Sequence, residues 1–132
     1  MMRRMKLQGG VVVPTDQGGH GMVQLLTFYA RDQLDLMYYS HPYDVDVNKD
    51  FDFLIVLSVE HFQDVIKFYD IKQADLPLIV HLDTPYALAQ FNHQRAYPGV
   101  PVLSLPRATT AAHAPDVTLE LNLVGKIEAR LR

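Results

Sequence analysis

"FLIVLSVEHFQDVIKFYDIKQADLPLIVHL", residues 53–82, sets two apolar runs on either side of a stretch with helical spacing. Phe53 to Leu57 and Leu78 to Leu82 are continuous rather than alternating, which is how strands buried on both faces of a parallel sheet read. Between them Phe62, Val65, Ile66 and Tyr69 fall on one side of a helix, with Ser58 available as its N-cap and His61 near its start. Strand, helix and strand in this span form a crossover unit joining parallel strands.

Working outward, the same alternation continues in both directions. Val11-Val12-Val13, Leu36-Met37-Tyr38-Tyr39 and Val100 to Leu105 are three further short apolar runs. Met22, Val23, Leu25, Leu26 and Tyr29 share one face of a helix expected from about His20 to Gln33. After Leu82, Asp83 or Thr84 can cap a short helix with Pro85 at its first position, and Tyr86, Leu88, Ala89 and Phe91 are expected to pack inward. The last segment carries two periods. Val117, Leu119, Leu121 and Leu123 alternate, whereas Val117, Leu121, Val124, Ile127 and Leu131 share a helical face. Helix from about Asp116 is favoured, because the pattern needs a closing layer and Lys126, Arg130 and Arg132 suit the negative end of a helix dipole.

Five such units predict an α/β fold: one doubly wound, mainly parallel five-stranded sheet of the flavodoxin-like kind, in the order 2-1-3-4-5. The 132 residues suit a single domain, with 1–10 expected to be a flexible N-terminal segment. In such a sheet ligands bind beyond the carboxyl ends of the strands, so the predicted rim comprises residues 14–21, 58–61, 83–86 and 106–113.

Composition narrows the function classes. Apolar residues are 48 % and charged residues 20 %, a folding composition, and the net charge of −3 without a basic run argues against nucleic acid. No window is long and apolar enough for a membrane span, and the basic start is cut off by Pro14 and Asp16 before a signal segment could form. With no Cys there is neither a disulfide framework nor a thiolate site, and a cytoplasmic location is expected.

Thr15-Asp16-Gln17-Gly18-Gly19-His20-Gly21 follows a strand and opens a helix, where backbone amides can receive a phosphate or carboxylate. The glycine order matches neither the dinucleotide fingerprint nor the phosphate loop of nucleotide hydrolases, and the plain alternative is a turn at positive φ. His20 could accept a phosphoryl group or act as a base, with Asp83 orienting it, whereas the plain reading of Asp83 is a helix cap. The six histidines, at 20, 41, 61, 81, 93 and 113, form no paired metal-binding unit, so neither metal nor cofactor is expected. His81, inside the fourth strand, reads as a core or rim histidine, and the acidic stretch 41–50 as a solvated connection.

The layout resembles two known families. Phosphorylated receiver domains share it, but here Leu57-Ser58 ends the third strand, Thr15-Asp16 follows the first and Pro106-Arg107 the fifth, so the acceptor aspartate is missing. Over residues 11–104, "VVVPTDQGGHGMVQLLTFYA" leading to "DFDFLIVLS" resembles the IIB component of the sugar phosphotransferase system and the IIB-like domains of some transcriptional regulators. Thr15 or its neighbours stand where that family carries its phosphorylated cysteine, which implies a degenerate sensory or regulatory domain. The expectation is therefore a non-catalytic regulatory module binding a small anionic ligand through Thr15, Asp16, Gly18, Gly19, Gly21 and Ser58. The alternative is a phosphocarrier or small enzyme using His20. A protein partner or second copy is also expected, and no nucleic acid or membrane.

Overall fold

Five strands lie side by side in the order β2-β1-β3-β4-β5, every neighbouring pair parallel, in a computed structural model that describes residues 7–12, 34–106 and 117–131. They are β1 (Leu7–Val12), β2 (Leu34–Tyr39), β3 (Phe53–Val56), β4 (Leu78–Asp83) and β5 (Val102–Pro106). The helices are α1 (Val59–Ile71), α2 (Pro85–Gln90), α3 (His93–Ala96) and α4 (Val117–Leu131). Both the flavodoxin-like class and the strand order stand as expected. The expected helix from His20 to Gln33 lies outside the described residues.

The continuous apolar strands do serve two cores, one on each side. Phe53, Ile55 and Leu57 with Leu78, Val80 and Leu82 face one layer, closed by Val124 and Ile127 of α4. Leu54, Val56 and Ile79 face the other, closed by Phe62, Val65 and Tyr69 of α1. A period-two backbone sends successive side chains to opposite faces, so β3 and β4, covered on both, are apolar throughout except at His81 and Asp83 near the end of β4. The helical reading of the last segment holds: α4 places Val124 and Ile127 of the expected face against the sheet, whereas Leu131 at its end stays exposed.

β1 begins earlier than expected, at Leu7, so residues 7–10 belong to the sheet and not to a flexible lead. Gly9 and Gly10 disguised it. A Cβ at Gly9 would clash with the outer edge of the Phe53 ring, and one at Gly10 would meet Leu54 Cδ2 at 2.5 Å. The bare strand is what lets the large side chains of β3 lie across it. Asp52 extends the same pairing, its N–H donating to Gln8 O at 2.7 Å and its Oδ2 accepting from Gln8 N–H at 2.8 Å.

The chain passes from β2 to β3 without an α-helix, through a single 3-10 turn at Pro42–Asp44. This corrects the solvated reading of the acidic stretch: Pro42 and Val45 are buried, as is Phe51 just beyond it, and Tyr43 packs on Phe68 with ring centroids 5.3 Å apart. The acidic side chains alternate with these anchors. Asp46 Oδ1 accepts from Asn48 N–H at 3.1 Å, and His41 Nδ1 from Tyr43 N–H at 3.1 Å, which ties the turn locally.

Candidate active site

The strand order reverses between β1 and β3, and the carboxyl ends of β3 and β4 stand on one side of that point. Ser58, two residues beyond β3, and Thr84, directly after β4, start the following helices. Ser58 Oγ accepts from His61 N–H at 3.1 Å and Thr84 Oγ1 from Ala87 N–H at 3.1 Å. Ser58, expected as a ligand contact, is thus engaged as a cap at the rim. Tyr86 departs from expectation: it is 76 % exposed, because α2 buries none of its residues and offers it nothing to pack on.

Asp83 ends β4 and leaves the capping of α2 to Thr84. Its Oδ1 accepts from Thr84 N–H at 2.8 Å, while Oδ2 lies 3.0 Å from His81 Nε2. His81 Nδ1 in turn lies 2.7 Å from His93 Nε2, so three side chains form one hydrogen-bonded line from the strand end to α3. His81 and Asp83 point the same way because they are two residues apart on a strand. With Asp83 a carboxylate, His81 must carry its hydrogen on Nε2, its Nδ1 lone pair then accepts, and His93 Nε2–H donates.

Aromatic rings sheathe this line. Phe62 stacks on His81 with centroids 5.6 Å apart and planes 13° from parallel, and its edge meets His93 at 4.9 Å. Phe91 meets His93 at 4.8 Å and 90°, and Tyr97 closes on Phe62 at 5.6 Å. His81 is fully buried and Asp83 6 % exposed, whereas His93 is half-buried, so the line runs inward from an accessible imidazole. Burial lowers the pKa of His93 below the usual imidazole value, and the adjacent His81 adds to the effect.

His20, Thr15, Asp16, Gly18, Gly19 and Gly21 lie outside the described residues, as does His113. Of the expected site residues, Asp83 and Ser58 are therefore the two that can be located. His93 was missed in the sequence because nothing local joins it to His81 twelve positions earlier. The one available signal was His81 and Asp83 sharing a strand face. Among the described residues no three acidic or imidazole side chains are grouped to hold a metal, and no helix is long and apolar enough to cross a membrane.

A groove of about 760 Å³ runs between α1 and residues 97–100, lined by Asp64, Lys67, Asp70, Asp75 and Tyr97 among others. It lies toward the amino ends of β4 and β5, away from the rim where sheets of this kind bind ligands.

No protein-family model matches this sequence, and no curated protein does. Among solved structures the chain is similar to FerB, a flavoenzyme NAD(P)H:(acceptor) oxidoreductase from Paracoccus denitrificans. The likeness has a TM-score of 0.58 at 14 % identity and covers 96 % of each chain. At that identity it establishes the fold. It also corrects the expectation of a non-catalytic regulatory module, since the layout on which that reading rested is, in FerB, the layout of an enzyme.

Proposed function

We propose that this protein is a flavin-dependent oxidoreductase that passes electrons from NAD(P)H to a small two-electron acceptor. The observation that carries this reading is the hydrogen-bonded line Asp83–His81–His93 behind the rim of a doubly wound sheet. A buried carboxylate–imidazole pair with an accessible end is proton-handling chemistry, and the end-to-end likeness to a flavoenzyme supplies the reaction class. When bound, a flavin supplies the two-electron exchange that no amino-acid side chain here can perform.

The described part of the rim suits the flat ring system of such a group. Tyr86 presents an uncommitted aromatic face just past β4, and the Ser58 and Thr84 hydroxyls and the backbone around them offer polar partners for ring carbonyls and nitrogens. The chain's lack of cysteine and its use of a nicotinamide reductant suit the cytoplasm.

Titration of the purified protein with FMN and with FAD, read by flavin fluorescence, tests the reading directly. Saturable quenching with one of them, followed by NADH oxidation in the presence of benzoquinone, is the expected result. No binding of either flavin would overturn it. Tyr86→Ala should weaken flavin binding by about 2- to 10-fold without shifting the unfolding midpoint, since the ring contributes stacking and no burial.

A further inference from the structure

Reduction of an organic two-electron acceptor by NAD(P)H consumes one proton: NAD(P)H + H⁺ + acceptor gives NAD(P)⁺ and the doubly hydrogenated acceptor. Resting on the reading above, we propose that Asp83, His81 and His93 form a proton store that takes this proton from solvent and delivers it to the acceptor through His93 Nδ1. Two of the three side chains are withdrawn from water, and His93 is the more accessible member of the line.

The hydrogen-bond directions make the store reversible. His93 Nε2–H donates to His81 Nδ1, leaving Nδ1 of His93, its other ring nitrogen, to meet an incoming proton. When that nitrogen is protonated, the Nε2–H proton moves across the 2.7 Å contact to His81 Nδ1. His93 is neutral again and His81 becomes an imidazolium whose Nε2–H still faces Asp83 Oδ2 at 3.0 Å. The new charge therefore sits beside a carboxylate rather than alone among Phe62, Phe91 and Tyr97, where an unpaired charge would be costly. Delivery reverses the sequence: His81 returns its Nδ1 proton to His93 Nε2 as the Nδ1–H bond of His93 breaks and the acceptor's O–H bond forms. Every bond in the line regains its starting polarity and no ring has to turn.

In this scheme His93 touches the acceptor, while His81 and Asp83 act through it as positioning residues. Phe62 fixes the planes by stacking on one imidazole and presenting its edge to the other.

The test compares two oxidants on the flavin-loaded protein. Benzoquinone needs the proton, and ferricyanide takes electrons without one. His93→Gln and Asp83→Asn should each lower the ratio of benzoquinone to ferricyanide turnover by about tenfold or more. The solvent isotope effect on the benzoquinone reaction should change with it. Circular dichroism melts on both variants separate this from misfolding, His93→Gln being the milder change because that residue is half-buried.

On the flavin-free protein, histidine ring ¹⁵N spectra should show His81 protonated at Nε2 and a scalar coupling to His93 across the shared hydrogen. A ratio unchanged in both folded variants would overturn the store while leaving the flavin reading intact. Absence of the cross-ring coupling would overturn it without any activity measurement. Failure of the wild-type protein to bind flavin or oxidise NADH with either oxidant would overturn both proposals together.

Discussion

Two turns at the rim are built from nearly the same local chemistry and end in different places. After β3, Ser58 caps α1; after β4, Thr84 caps α2 with Pro85 at the first helical position. Both hydroxyls accept the N–H three residues on at 3.1 Å. Behind Ser58 stand 13 helical residues that bury Phe62, Val65 and Tyr69, whereas behind Thr84 stand 6 that bury none. The first turn anchors a core. The second leads into another short helix, whose His93 packs its ring against that of His81. Capping chemistry decides where a helix starts, and the apolar surface behind the cap decides whether that turn is sealed or remains available for chemistry.

The largest test of this contrast is Phe62→Ala, which removes the side chain through which α1 serves both the core and the histidine line. It should cost about 3–5 kcal/mol in urea unfolding, as full truncation of a buried Phe does. A loss below about 1 kcal/mol would mean that α1 and the line are not mechanically joined.

Removing the two caps compares the turns themselves. Ser58→Ala should destabilise by about 1 kcal/mol, and Thr84→Ala by less than about half of that, because fraying α2 exposes no core residue. Equal losses would break the comparison. At the far end of α1, Gln73 takes a left-handed conformation with φ 55° to close the helix. That conformation costs a non-glycine residue roughly 1–2 kcal/mol and glycine's greater unfolded freedom takes back about 0.5–1, so Gln73→Gly should gain about 0.5 kcal/mol.

The smallest effect is the pH dependence of the line, since His93 is partly open to screening solvent. Its folded pKa lies below the unfolded value, so on acidification the unfolded chain binds the proton first. The His93 contribution should be fully present above about pH 6.5, decline as pH falls through that value, and level off below the folded pKa. Subtracting the pH–stability curve of His93→Gln from that of wild type isolates it. A difference curve that rises on acidification would reverse the assignment.

Much of the architecture was legible because its causes are local or periodic. The short apolar runs at Phe53–Leu57 and Leu78–Leu82 read as strands covered twice, and Ser58, Thr84 and Pro85 are helix-start chemistry in its expected places. Less legible were elements whose identity depends on a neighbour. Gly9 and Gly10 read as a loose lead because the ring that requires them belongs to Phe53. The stretch 41–50 reads as solvated until Val45 is seen to insert into the core. Tyr86 reads as inward-facing until α2 proves too short to bury it. The candidate site was half legible: Asp83 was singled out from its place at a strand end, whereas its partner His81 reads as a core or rim histidine and His93 was passed over.

By itself, then, the sequence determined the class of fold, the strand order and where α1, α2 and α4 begin, because period, capping and crossover handedness act over short separations. Only the tertiary structure decided that an abbreviated β4–β5 crossover returns His93 to within 2.7 Å of His81. That contact is a property of packed elements, and no spacing along the chain encodes it.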